Sequence, residues 1–260
     1  MRGVWTRDWI ERKGVRSNTL TVHYLQTPTL YGDMRVPMSR ASFGSATSFA
    51  DASDAQLLEL ATQRGFTGQV TAAGDSITWQ HEIDFQPPDG DVDIGRVEHM
   101  SRGQMYEHAL DSSYTESWTS VASGDDAFLV IRVERGGRLD RTLLVAGDHF
   151  MYIRNRPVDL PTARSLDGLI ATTHATREQI IAFLDCEFSS GTVRSGAVPW
   201  EIHASTLPWR ERQHLDFADE ITVSADSSQV HVREMEGSKV SVPINSLTRA
   251  QLVAIFRVVK

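Results

Sequence analysis

Cysteine is all but missing. Cys186 is the single one in 260 residues, so no internal disulfide can form, and a reducing, cytoplasmic setting is the expectation. Long apolar runs are missing too. No stretch approaches the ~18 residues that a membrane-spanning helix needs. A secretory signal needs an unbroken apolar run after its positive start, and Arg7, Asp8, Glu11 and Arg12 interrupt it. Clusters of Lys and Arg are lacking, and the formal net charge is −8. Binding to a phosphate backbone or an anionic bilayer requires gathered positive charge, so neither nucleic acid nor membrane is an expected partner. The glycine-rich loops that cradle phosphates, the nucleophile elbow, and the His-X-His or His-Glu-X-X-His spacings do not occur. No cofactor and no metal is expected, and nothing in the pattern specifies an oligomeric state.

What is present is strand after short strand. Segments rich in Val, Thr, Tyr and Trp, punctuated by Gly, Asp and Pro, fall near 2–10, 17–27, 30–36, 66–73, 76–85, 92–101, 103–110, 113–121, 127–135 and 140–154. About ten strands with tight connections predict a mostly β, antiparallel barrel or sandwich over residues 1–155. Two breaks interrupt it. Residues 37–53 are irregular and lead into a helix capped at Asp54, whose Leu57, Leu60 and Ala61 predict packing over a barrel end or wall. Pro87-Pro88-Asp89-Gly90-Asp91 is a polar loop. Residues 156–260 have a different texture, with a helix near 176–186 capped by Thr176. Strands follow near 187–206, 220–226, 229–235 and 238–244, then a helix starting at Ser246 or Thr248. That stretch is expected to be a smaller region, either a second barrel or an extension of the first sheet.

Gly3-Val4-Trp5 at the head of the first strand resembles the Gly-X-Trp signature of lipocalin-like (calycin-type) barrels. The resemblance extends to bacterial double-barrel members of mostly unassigned function. It rests on Tyr24-Leu25-Gln26-Thr27, Tyr31-Gly32-Asp33-Met34-Arg35-Val36-Pro37, Ile83-Asp84-Phe85-Gln86-Pro87-Pro88 and Ser205-Thr206-Leu207-Pro208-Trp209. It implies a lipocalin-like barrel with a pocket, and a Trp5 that plugs one end and packs against an Arg. It implies no reaction.

The most informative stretch is 92–121. A tight hairpin with Arg102-Gly103 as its loop places Glu98 opposite Glu107 and Met100 opposite Met105. A second hairpin turning at Asp111-Ser112 pairs Glu107 with Glu116 and Met105 with Trp118. Glu98, Glu107 and Glu116 would then form one row, with side chains about 4.5–5.5 Å apart at Cβ. Such a row needs compensation: from Arg96, from Arg132, from a bound cation or amine, or from a proton kept on one carboxyl, as general acid–base sites require. A solvated outer stripe is the plain alternative. Tyr114 and Trp118 on the same face argue for a lined pocket.

Asp33 and Arg35 alternate along one strand and share a face. They suit either recognition of a carboxylate-bearing ligand or a structural salt bridge at the barrel mouth. Trp79, His81, Ile83 and Phe85 are expected on one face, with His81 as a pocket base or as an ordinary core residue. Cys186, at the end of an apolar helix, reads as an inert thiol.

Three functions fit. One is a binding protein holding a small, partly apolar molecule, with Asp33, Arg35, Trp79, Glu98, Tyr114 and Trp118 as contacts. The second is a cofactor-independent lyase, isomerase, dehydratase or hydrolase in which a glutamate of the row, Glu107 or Glu116, moves protons while Arg35 or His81 polarises the substrate. The third is a barrel packed solid by its own side chains.

Overall fold

The structure is a computed structural model that describes residues 1–101, 103–123, 127–224, 229–233 and 236–258. Arg102, the expected hairpin loop residue, lies outside the described residues.

Antiparallel pairing runs through nine strands in unbroken order. They are β1 (Gly3–Arg12), β2 (Val15–Ser17), β3 (Leu20–Gln26), β4 (Leu30–Pro37), β5 (Arg64–Ala73), β6 (Ser76–Asp84), β7 (Asp93–Ser101), β8 (Gln104–Ala109) and β9 (Thr115–Ala122). β1 also pairs with β9, from Val4↔Ala122 to Glu11↔Thr115, so eight strands close into a barrel and β2 is a short flap on β1. Closure leaves no open edge in that ring.

Alternation sets the two faces of the barrel wall. Along β4, Tyr31, Asp33 and Arg35 face inward, while Leu30, Met34 and Val36 join a core on the outside. That outer core is shared with a second sheet. Its strands, in spatial order, are β14 (Glu201–Ser205), β13 (Glu187–Thr192), β12 (His149–Arg154), β11 (Arg138–Ala146), β10 (Phe128–Arg135) and β17 (Ser238–Asn245). Leu144, Met151, Ile153 and Phe188 meet Leu25, Met34 and Val36 across the seam. The contact is close at Gly32: a Cβ there would stand 2.5 Å from Met151 Sδ, so the methionine side chain would have to shift. A small sheet of β15 (Ile221–Val223), β16 (Val230–Val232) and β18 (Arg257–Val258) covers the other face of the second sheet, packing Val223 and Phe256 against Leu129 and Tyr152.

The sheet boundary falls between Ala122 and Phe128 rather than at residue 155. β10, β11 and β12 read as a continuation of the barrel meander but belong to the second sheet. Strand texture alone does not say which sheet a strand joins. The expected single strand at 140–154 is the β11–β12 hairpin, turned at Gly147-Asp148.

The helices follow their caps. α1 (Asp54–Leu60) starts from Ser53, one residue before the expected cap, and forms a reciprocal capping box with Gln56. Its Leu57 and Leu60 enter the seam core against the outer wall of the barrel, the second of the two expected placements. α3 (Arg177–Leu184) and α4 (Arg249–Ile255) have the same box, from Thr176 and Thr248. α2 (Leu166–Thr173) was not expected, since Gly168 in its first turn weakens the pattern. Burial of Leu166, Leu169 and Ile170 outweighs that cost.

Candidate functional site

The barrel interior has two halves. Trp5, Val22, Val70, Ile77, Val97 and Met105 fill the lower half as an apolar floor. Trp5 is buried there, and its indole N–H donates to the Met1 carbonyl at 2.8 Å. The arginine partner that the resemblance implied is not among the cation–π contacts of the described residues.

Above the floor lies a chamber of about 170 Å³, lined by Asp33, Arg35, Glu107, Tyr114, Glu116 and Trp118, with Tyr24, Phe66, Trp79 and Asp93 around them and Arg12 and Arg64 at its open end. The chamber opens into a vestibule of about 370 Å³ that shares Arg64, Phe66, Asp93 and Tyr114. His81 and the Pro87-Pro88 loop form the vestibule's other walls.

Two acid–base pairs anchor the chamber. Arg35 donates from Nε and Nη2 to the two carboxylate oxygens of Asp33, at 2.8 and 3.0 Å. Arg7 donates to Glu116, and both are buried; Arg35 Nη1 lies 3.8 Å from the same Glu116 oxygen. Glu107 stands directly opposite Glu116 in the β8–β9 register, as the second hairpin predicted, with Met105 opposite Trp118. Burial, and then the charge of Glu116, push the Glu107 carboxyl well above its usual range, with Arg35 only partly offsetting them. The protonated form of Glu107 is thereby favoured, beside a Glu116 carboxylate paired with Arg7. Tyr114 donates to Glu107 at 3.2 Å, and burial and the two glutamates raise its phenol as well. Burial also raises Asp33, against the pull of Arg35.

Several buried polar atoms have no protein partner: Arg7 Nε, Glu116 Oε2, Trp118 Nε1 and Tyr31 Oη. Glu116 and Trp118 line the chamber; buried donors and acceptors are satisfied in nearly all native structures, so two such atoms in one cavity wall are unusual. Trp79 does not share this condition, since its indole donates to Tyr24 at 2.9 Å and Tyr24 in turn to Gln26 at 2.8 Å.

Two bulges corrected the sequence reading. Ser101↔Gln104 pairs as the hairpin required, but the ladder shifts between His99 and Ser101. Met100 is the extra residue, so Val97, not Glu98, sits opposite Glu107. Glu98 is turned out of the barrel with its side chain 53 % exposed, 3.4 Å from His108. The row of three carboxylates is thus a facing pair. The compensating cations are Arg7 and Arg35. Arg132 belongs to β10 and binds Glu82 at 3.0 Å, while Arg96 is exposed.

A second shift on β6 leaves Glu82 as the extra residue against β5. Trp79 and His81 stay on the chamber and vestibule side, while Ile83 and Phe85 turn into the seam core, so the four do not share one face. His81 stacks on Phe66 at 4.5 Å and bonds Asp84 at 2.7 Å and Asp93 at 3.2 Å. Burial opposes its protonation, but the two aspartates outweigh that and lift its pKa to about 9. At neutral pH this imidazole is a cation and no base.

Arg7, Arg12, Arg64, Phe66 and Asp93 were not singled out from the sequence. Arg7 was legible, because it stands two residues after Trp5 and so shares its face. The others sit at strand ends and have no such signal. Among the described residues no group of three or more His, Cys, Asp or Glu is placed to hold a metal ion. No described helix is long and apolar enough to cross a membrane. Cys186 is fully buried, and burial raises its thiol.

A second charged cleft, of about 390 Å³, lies on the second sheet. Arg154 meets Asp185 at 2.6 Å, Arg210 meets Glu187 at 3.4 Å and Asp216 at 2.9 Å, and Arg141 meets Glu220 at 3.2 Å.

No family model matches the chain, and no curated protein matches it significantly. Among solved structures it is similar to the uncharacterized protein YLR301w from Saccharomyces cerevisiae. The TM-score is 0.54 at 11 % identity, covering 93 % of this chain and 98 % of that one. A likeness at that identity speaks for the fold alone.

Proposed function

We propose that the chain is a binding protein whose barrel chamber takes a small, partly apolar molecule by a carboxylate or similar flat anionic group. The observation that carries this reading is a chamber wall in which the Trp118 indole N–H and Glu116 Oε2 are buried without a protein partner, beside Arg12 and Arg64. Neither of these arginines forms an ion pair among the described residues. Burial, and then the field of Arg35, Arg12 and Arg7, lowers the Arg64 pKa against the pull of Asp89, so positive potential dominates at this end of the chamber. An anionic group there relieves that repulsion. Phe66, Trp79 and Trp118 offer apolar surface to the rest of the ligand, while protonated Glu107 and the Trp118 indole offer hydrogen-bond donors. The chamber is smaller than the ~300–1,000 Å³ of drug-sized sites, so the ligand is correspondingly small or extends into the vestibule. This reading extends the resemblance to lipocalin-like, calycin-type barrels from shape to use, in a reducing, cytoplasmic compartment.

The test uses matched probes. Benzoate should raise the melting temperature saturably, and benzylamine should not. Arg64→Gln should weaken benzoate by about 10-fold or more, as expected for loss of a charge-assisted contact. The reading fails if no member of a panel of small carboxylates binds and native mass spectrometry finds no co-purifying molecule.

A second reading rests on Glu107. A carboxyl that keeps its proton beside a tyrosine hydroxyl in a cavity is equipped for general acid–base chemistry. Glu107→Gln separates the two: a binder keeps measurable affinity, whereas an enzyme loses turnover by orders of magnitude.

A further inference from the structure

The seam between barrel and second sheet is not packed throughout. A cleft of about 270 Å³ opens where β1, β3 and β9 face β12, β13 and β14. Its walls are mostly apolar, with Leu25, Val121, Phe150 and Met151 among them. Three of the nine histidines of the chain also reach it: His23, His149 and His203.

The polar decoration is set by a local irregularity. The β13–β14 ladder shifts between Ser190 and Gly191, with His203 as the extra residue. Bulges of this kind re-aim side chains and are frequent beside functional sites. Gly191 is required there, because a Cβ would stand 1.8 Å from the Glu201 carbonyl oxygen. His203 turns its Nε2 to Thr192 Oγ1 at 3.2 Å. Ser190 is only 7 % exposed, lines the cleft, and its hydroxyl finds no partner. A hydroxyl buried without a bond costs stability, and an apolar cleft that retains one holds a vacant point of recognition.

We propose that this seam cleft is a second ligand site, separate from the barrel chamber, for a small neutral and largely apolar molecule whose single hydroxyl or carbonyl bonds Ser190. The charge state of the walls agrees. Burial, followed by the neighbouring His203, lowers the His23 pKa against the pull of Glu211, and burial lowers His149 against Asp148, so both rings are neutral at neutral pH. Nothing here offers the positive field of the chamber mouth, and the two sites select by opposite rules: charge in one, its absence in the other.

The matched probes are 1-naphthol, which carries one hydroxyl, and naphthalene, which carries none. Titration of the intact protein should give saturable 1-naphthol binding at one site, read by the probe's fluorescence. Ser190→Ala should weaken 1-naphthol about 3–10-fold, the worth of one neutral hydrogen bond, and leave naphthalene unchanged. Val121→Trp adds bulk at an exposed position of the cleft rim (Val121 is 53 % exposed) and should abolish binding of both probes with the melting temperature unchanged. Benzoate binding in the chamber should be indifferent to both substitutions, which keeps the two sites distinguishable. Absence of saturable 1-naphthol binding overturns the proposal. So does binding that Val121→Trp and Ser190→Ala both leave intact. Equal weakening of 1-naphthol and naphthalene by Ser190→Ala overturns the assigned role of the hydroxyl.

Discussion

Two clusters of buried or half-buried charge stand a sheet apart in this molecule, and they are built on different logic. On the second sheet, Arg141, Arg154 and Arg210 alternate with Asp185, Glu187, Asp216 and Glu220, and each of these side chains has an opposite charge within 3.4 Å. Water reaches most of them. In the barrel chamber, Arg7 and Glu116 are sealed from water, two glutamates face each other, burial raises the carboxyl of one, and polar atoms are left unpartnered. In the first cluster every charge meets an opposite one close to the surface. In the second, Glu116 Oε2 and Trp118 Nε1 are buried without a protein partner. Size does not separate them, since the cleft on the second sheet is the larger of the two. What separates them is how deeply the charges are buried.

The sharpest way to break this contrast is to remove one cation from each cluster. Arg7→Met leaves Glu116 buried with only the distant Arg35, and should cost about 3–5 kcal/mol in chemical denaturation. Arg210→Met leaves Glu187, itself buried, with Arg154 at 3.8 Å and the Ser189 hydroxyl, and should cost less, about 1–3 kcal/mol. Equal losses would mean that the two clusters are of one kind.

Glu107→Gln sharpens the picture of the chamber. A carboxyl raised on folding contributes stability that is fully present below its unfolded value of about 4.3 and is lost as pH rises through the folded value. Glutamine keeps the shape and removes the proton. The stability of the variant relative to the parent should therefore grow from pH 4 to pH 8, by about 1.4 kcal/mol for each unit of lift traversed. Denaturation curves across that range decide it, and a flat difference would contradict a protonated Glu107. The smallest effect is at the vestibule. His81 contributes stability below its ordinary value of about 6.5 that fades as pH rises through about 9. His81→Gln should cost under about 1 kcal/mol at pH 6, since its partners are solvent-accessible, and nothing above pH 9.5.

How much of this was legible beforehand depends on particular residues. Alternation along β4 told correctly that Asp33 and Arg35 share a face. The Asp111-Ser112 turn gave the Glu107–Glu116 pairing, because a short hairpin dictates its own register. The other hairpin turn was also read correctly at Ser101 and Gln104, yet Glu98 ended on the wrong side. A single inserted residue, Met100, inverts every assignment beyond it, and nothing in the local composition announces a bulge. Glu82 does the same to Ile83 and Phe85. Closure was inferable from the run of strands. That β10 leaves the barrel for a second sheet was not, since long-range pairing has no local signature. Arg7 was missed for a simpler reason: at the head of the chain it reads as a surface charge, although its spacing from Trp5 already placed it inside.

Strand β4 is a party wall. One side carries Asp33 and Arg35 into the chamber, and the other, at Gly32, rests against Met151 with no room for a methyl group. A change in how the second sheet packs therefore bears on the strand that carries Asp33 and Arg35.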